Sequence, residues 1–151
     1  MNIIYSYVIF LLGRNDFGVE LARLRALVAR WLFMSQLTAR YTGSSESQIQ
    51  KDLDQIAALN KGDAEGFEEL LNRTINTQLT EDYWRFNLPQ NLVTSGASLS
   101  PHYQCYLAAL NILDAKMFML NERVRDWMDP NQPAAKGTEG HHLFPRKYQE
   151  K

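Results

Sequence analysis

The chain is predicted to be all-α, an irregular multi-helix bundle ending in a short tail of different character. Three observations carry this expectation. Apolar residues recur at three- and four-residue spacing along most of the chain, no alternating strand pattern appears before the tail, and Ser, Asp, Gly and Pro stand where helices start and stop. With 151 residues, 45% of them hydrophobic, there is enough apolar surface for one ordinary core. The expected division is a helical domain over residues 1–128 and a linker plus motif over 129–151.

The first element is the apolar run Ile3–Leu12. It is about half the ~20 residues that a membrane span requires and no Lys or Arg precedes it, so it is expected to be a buried helix. A chain opening in such core-like sequence reads as a piece of a larger protein. Arg14-Asn15-Asp16 offers a turn and cap before a long helix from about Val19 to Arg40. Its buried face is expected to carry Leu21, Leu24, Leu27, Val28, Trp31, Leu32 and Ser35, with Arg23, Arg25 and Arg30 on a wetter flank.

Arg40 to Gln48 then ends one helix and begins another. Gly43 suits the left-handed position after a helix, and Ser45 with Gln48 fits a reciprocal capping box. Ile49, Leu53, Ile56 and Leu59 mark the next apolar stripe, which ends at Lys61-Gly62. Asp63 can cap a further helix with Phe67, Leu70, Leu71 and Ile75 on one face. These two helices carry Glu46, Asp52, Asp54, Glu65, Glu68 and Glu69, an acidic half expected to face water.

Thr80 to Phe86 reads as an aromatic turn of helix closed by Leu88-Pro89, followed by a less regular stretch in which Leu92, Val93 and Leu99 should pack. Ser100-Pro101 is a helix start, with Ser at the cap and Pro in the first turn. Tyr103, Tyr106, Leu107, Leu110, Ile112, Leu113 and Met117 are expected to make that helix largely buried. Asn121 to Met128 can form a last short one.

A formal net charge of −1 lacks the global basic excess of a protein that grips nucleic acid by counterion release. The single cysteine, Cys105, excludes an internal disulfide, fits a reducing cytoplasm and lies among apolar residues as a small core side chain. Gly13, Gly18 and Gly43 are too scattered for a phosphate-binding loop. Trp31 and Trp84 are expected to anchor a core or a domain interface.

The tail carries the sharpest chemical signal, Glu139-Gly140-His141-His142-Leu143-Phe144-Pro145. In metal-assisted phosphodiester hydrolysis a neutral imidazole takes a proton from the attacking water while a divalent cation neutralises charge on the leaving side. His141-His142-Leu143-Phe144-Pro145 resembles the first strand of His-Asn-His (HNH) nucleases, which begins a ββα-metal hairpin. By position, the resemblance makes His141 the metal ligand and His142 the general base. Arg146 and Lys147 follow directly as cations for nucleic-acid phosphate. A His pair in an idle tail is the competing reading.

The order of elements is similar to the C-terminal half of GmrSD-type restriction endonucleases, which cut modified DNA. The resemblance is carried by Tyr7–Gly13, Arg30-Trp31-Leu32-Phe33, Arg40–Glu46, Tyr106–Asn111 and the closing His-His-Leu-Phe-Pro-Arg-Lys-Tyr. It implies a helical region coupling an N-terminal nucleotide-hydrolysing domain, absent here, to an HNH nuclease whose second half is also absent. DNA is the implied partner and magnesium or manganese the implied cofactor, with no tight metal binding and no cleavage expected of this chain alone. No membrane partner is expected, and the reading leaves room for a homo-oligomer. Within the helices, Arg40 could meet a phosphate or a carboxylate, and Tyr41 could stack on a base or pack over the helix junction. The alternative from a different class is a non-catalytic helical protein-interaction module.

Overall fold

A computed structural model describes residues 1–94, 100–117 and 121–129. The all-α expectation holds among them: seven α-helices and one π-helical turn, with no strand beyond a single isolated antiparallel bridge between Lys116 and Arg123. The expected HNH hairpin, with His141, His142, Arg146 and Lys147, lies outside the described residues. None of the described helices is long and apolar enough to cross a membrane. The chain divides into two compact units, Met1–Leu107 and Ala108–Lys151.

In the first unit, α1 (Asn2–Asn15) packs against α2 (Leu21–Leu37), and α2 packs against α4 (Ala64–Gln78). Gly13 does not end α1. It lies inside the helix, where an added Cβ would stand 2.6 Å from Leu24 Cδ1 and 2.9 Å from Phe67 Cε1. Two helices and a phenyl ring therefore meet at a point where only a hydrogen fits, and the glycine serves close packing rather than termination. The chain turns instead at Gly18, in the left-handed region, with the Val19 N–H donating to Gly13 O. Asp16 is the C-cap of α1, and Glu20 caps α2 by accepting from the N–H groups of Ala22 and Arg23.

The core gathers Tyr5, Ile9, Phe17, Val19, Leu24, Leu27, Trp31, Met34, Tyr41, Ile56, Phe67, Leu70, Leu71 and Ile75. Phe17 stacks on Phe67 with ring centroids 4.7 Å apart. The expected stripes of α3 (Ser45–Ala57) and α4 are the faces that pack here: Ile56, Phe67, Leu70, Leu71 and Ile75 are buried, while Ile49, Leu53 and Leu59 lie half-buried against them. Asp63 caps α4 by accepting from Gly66 N–H. On the wetter flank of α2, Arg23 pairs with Glu68 at 2.5 Å and Arg30 donates to Asn72, tying α2 to α4 at the surface.

The end of α2 departs from expectation. The helix closes at Leu37, and Ala39 rather than Gly43 takes the left-handed position, with φ of 50°. Arg40 N–H donates to Ser35 O and Ala39 N–H to Gln36 O, the paired bonds of a Schellman motif. Gly43, also at positive φ, belongs to the link into α3. The Ser45–Gln48 capping box does not form. Ser44 is the N-cap of α3 without a side-chain bond, and Gln48 points at Asp52 instead.

A smaller cluster of Leu37, Tyr83 and Cys105, flanked by Phe33, Leu79 and Leu88, takes in the last residue of α2. Tyr83 opens a π-helical turn, Tyr83–Asn87, that passes straight into α5 (Leu88–Thr94), so Pro89 does not close the segment. Proline has no N–H to continue the i→i−4 ladder, and the ladder widens to i→i−5 directly before it, with Leu88 N–H donating to Tyr83 O. Val93 on α5 is 84% exposed, against the expectation that it packs.

α6 (Pro101–Ile112) starts where Ser100-Pro101 forecast, but Ser100 Oγ makes no hydrogen bond and only the backbone carbonyl of Ser100 engages, accepting from Gln104. The helix is not largely buried: Cys105 is its one buried residue among those described, and Tyr106, Ile112 and Leu113 are exposed. Its few polar residues, His102 on one side and Gln104 with Asn111 on another, leave only a weak periodicity with which to fix the inward direction.

In the second unit, α6 ends in another Schellman motif. Asp114 takes the left-handed position at φ 53°, its N–H donating to Asn111 O while Ala115 N–H donates to Leu110 O. The Asp114 carboxylate pairs with Arg123 and with Arg125, the latter at 3.2 Å. Val124 N–H donates to Ala115 O beside the Lys116–Arg123 bridge, and α7 (Val124–Trp127) follows.

Candidate functional site: a buried carboxylate at the α2–α3 junction

The two site residues forecast within the helical region, Arg40 and Tyr41, converge on one side chain, Asp52. Both come from the link that leaves the Schellman motif of α2, and Asp52 comes from the inward face of α3. Asp52 was expected on a solvated acidic face. It is 3% exposed, because an arginine twelve residues earlier and a tyrosine eleven residues earlier supply the partners that a buried carboxylate needs. Among the other acidic residues of α3 and α4, Glu68 pairs with Arg23 at the surface and none is as deeply buried as Asp52.

Four donors occupy the carboxylate. Arg40 Nη2 reaches Oδ1 at 2.6 Å and Arg40 Nε reaches Oδ2 at 3.0 Å, a two-pronged pairing that the planar guanidinium fits. Tyr41 Oη donates to Oδ2 at 2.8 Å, and Gln48 Nε2 donates to Oδ1 at 3.2 Å. The guanidinium also lies over Trp31, 5.7 Å from the ring centroid, and the Tyr5 ring meets Tyr41 edge-on at 5.0 Å. Burial works against the charge of Arg40, yet its bonds to Asp52 outweigh that and leave the guanidinium above its ordinary range. Burial also pushes the Tyr41 phenol well above its usual range, and the adjacent Asp52 charge adds to the rise; Tyr5 is raised by the same two causes.

Chemically this arrangement is a clamp. Every lone-pair direction of the carboxylate is engaged, which leaves none for a metal ion or for taking a proton from a water. The α2–α3 link thereby becomes a fixed corner. Among the described residues no group of three or more His, Cys, Asp and Glu side chains is arranged to hold a metal ion. Compared with known proteins, the chain matches no family model, no curated protein and no solved structure.

A second polar arrangement, which sequence reading missed, lies in the smaller cluster. The Leu37 carbonyl at the end of α2 accepts from Tyr83 Oη at 2.5 Å and has His102 Nδ1 at the same distance. Last-turn carbonyls lack intrahelical partners, so two side chains from distant elements close this one. Beside it, burial pushes the Cys105 thiol up to about 11. A thiol held protonated is a poor nucleophile, in keeping with the core role read for Cys105. Trp31 is the core residue forecast at its position, at 1% exposed, whereas Trp84 on the π turn is 45% exposed.

Proposed function

We propose that this chain is the helical scaffold of a GmrSD-type endonuclease, coupling a nucleotide-hydrolysing sensor to an HNH nuclease that cleaves modified or foreign DNA in the cytoplasm. The observation that carries the reading is the sequence His141-His142-Leu143-Phe144-Pro145, placed after the helical region and followed by Arg146 and Lys147. In this reading His142 is the general base and His141 holds magnesium or manganese.

The helical region supports a mechanical role in that scheme. Its best-organised polar group, Asp52, is engaged by four donors and fixes the α2–α3 corner. A scaffold that transmits a sensor's state needs such stiff corners, because a soft one absorbs the displacement it should pass on. Arg40 and Tyr41 act in it as corner residues.

The test is DNA cleavage by the uninterrupted reading frame that contains this chain. His142→Ala should abolish cutting while nucleotide binding, circular dichroism and melting stay as in the parent. His141→Ala should lose activity that added magnesium or manganese partly restores. If both variants cut modified and unmodified DNA like the parent at every metal concentration, the nuclease reading fails. The chain by itself should not cut, since His141 and His142 alone do not complete a metal site. The interaction-module reading draws on one observation, an apolar stripe on the outward face of α1.

A further inference from the structure

We infer that the outward face of α1 is a self-association surface, on which two copies of this chain pair about a two-fold axis beside Tyr7. This goes beyond the scaffold reading and does not depend on it.

α1 is apolar nearly all round. Its side chains carry no charge before Arg14, and one face, formed by Tyr5, Ser6, Ile9 and Gly13, is already spent on the core. The opposite face consists of Ile3, Ile4, Tyr7 and Leu11, exposed by 74%, 66%, 61% and 37%. A helix hydrophobic on both sides is normally covered on both sides. With Met1 at 65%, these five side chains offer on the order of 500 Å² of apolar surface, the size of the largest patch on a typical monomer, which is often a binding site, and approaching the ~800 Å² per partner of a stable interface once its polar rim is added.

The occupant follows from the pattern of the stripe. Ile3, Tyr7 and Leu11 follow one another at four-residue steps, so Tyr7 is the midpoint of a row about 12 Å long. Rows of this kind pack into the grooves beside the same row on a second helix. In an isologous pair a residue at the centre meets itself, and each end meets the other end. Running the two helices in opposite directions sets Ile3 and Ile4 against the Leu11 of a second copy and Tyr7 against its own equivalent. Identical surfaces that carry charge repel one another at such an axis. The row from Ile3 to Leu11 carries none; the cationic groups, Arg14 and the Met1 ammonium, lie beyond its two ends, and the opposed directions set the helix dipoles antiparallel. A tyrosine at the centre adds a large apolar ring with a hydroxyl that can bond across the axis.

The test is sedimentation velocity of the complete chain over a wide dilution series. The expected result is a reversible monomer–dimer equilibrium that Tyr7→Glu and Ile4→Glu each weaken by at least roughly thirtyfold in Kd, the effect of losing an interface hot spot. Val93→Glu, at an equally exposed apolar residue on α5, should leave the equilibrium unchanged. Circular dichroism of each variant should match the parent, since none of these side chains is in the core. Tyr7→Cys should form a disulfide-linked dimer under mild oxidation while Leu11→Cys should not, which reads out the axis directly. A chain that is monomeric throughout the series overturns the proposal, as does a dimer indifferent to Tyr7→Glu. Monomers that float with lipid vesicles through the stripe overturn it too, by giving the face to a bilayer.

Discussion

Two polar devices close the same helix end, and they work on different physics. Just past the α2 C-terminus, Arg40 and Tyr41 lock onto the buried Asp52 carboxylate; at its last residue, Tyr83 and His102 converge on the Leu37 carbonyl. The first places full charges inside the larger core, where desolvation is severe and only complete pairing compensates it. The second satisfies a neutral carbonyl in a smaller cluster, where less is lost if a partner goes. A charged corner is therefore brittle and a neutral one forgiving, although both do the same geometric work.

The largest expected effect follows from that brittleness. Asp52→Ala leaves Arg40 buried without its counter-charge and should cost about 3–5 kcal/mol in unfolding free energy, measured by urea or thermal denaturation. Replacing the group together, as Arg40→Met with Tyr41→Phe and Asp52→Leu, should regain more than half of that loss, because no uncompensated charge remains. A loss below about 1 kcal/mol for Asp52→Ala would mean that water reaches the carboxylate and that the corner is not a sealed one.

A pH titration separates the two sides next. Burial raises the Cys105 thiol to about 11 from an ordinary value near 9. A raised folded-state value means that the folded form holds its proton more tightly than the unfolded chain does. The associated stability is complete below about pH 9 and is lost as pH rises through about 11, a decline on the order of 2 kcal/mol. Tyr5, Tyr41 and Tyr83, whose phenols burial raises, extend the loss in the same direction above about pH 10. Cys105→Ala should flatten the curve between pH 9 and 10 and leave the tyrosine portion. Stability that increases over this interval would contradict the burial of these groups.

On the neutral side, Tyr83→Phe removes one donor from the Leu37 carbonyl while keeping the ring in its cluster. The expected cost is about 1–2 kcal/mol, smaller than that of Asp52→Ala because the lost bond is uncharged and His102 still adjoins the carbonyl. Equal costs for the two substitutions would erase the distinction between a charged and a neutral corner.

These corners also mark where the sequence could be read and where it could not. α3 and α4 alternate strongly between polar and apolar, so Ile56, Phe67, Leu70, Leu71 and Ile75 could be assigned to the core from spacing alone. α1 and α6 are apolar on most sides, and spacing cannot choose an inward face when every face qualifies; Tyr106, Ile112 and Leu113 were misplaced for that reason. Asp52 was misassigned by a different route. Its spacing, three residues after Ile49 and four before Ile56, puts it on the apolar stripe, but its charge counted it with the surface acids, and its burial is made possible by Arg40 and Tyr41 in another element. Their adjacency in sequence pointed to a shared task, but the carboxylate that they share could be found only once the chain was folded. Tyr83 and His102 had no signal at all, since the Leu37 carbonyl that joins them is backbone. The packing role of Gly13 has no signal in its own segment, because the Leu24 and Phe67 side chains that forbid a Cβ come from two other helices.

The smallest effect concerns the joint between the two devices and has the opposite sign. Ala39 occupies the left-handed position of the Schellman motif at φ 50°, where an L-residue carries a steric cost on the order of 1 kcal/mol between its Cβ and the backbone. Glycine removes the Cβ but enters folding with a more flexible unfolded chain, which offsets part of the gain. Ala39→Gly should therefore stabilise the protein by about 0.5–1 kcal/mol, visible as a rise in the denaturation midpoint. The Arg40 N–H to Ser35 O and Ala39 N–H to Gln36 O bonds use only backbone, so the substitution leaves them and the Asp52 clamp downstream in place. Combined with Asp52→Ala, the gain should persist unchanged if the cap and the clamp are independent. A gain that vanishes in the double variant would show instead that the clamp is what holds Ala39 in its strained conformation, and that the charged corner extends its grip back to the end of α2.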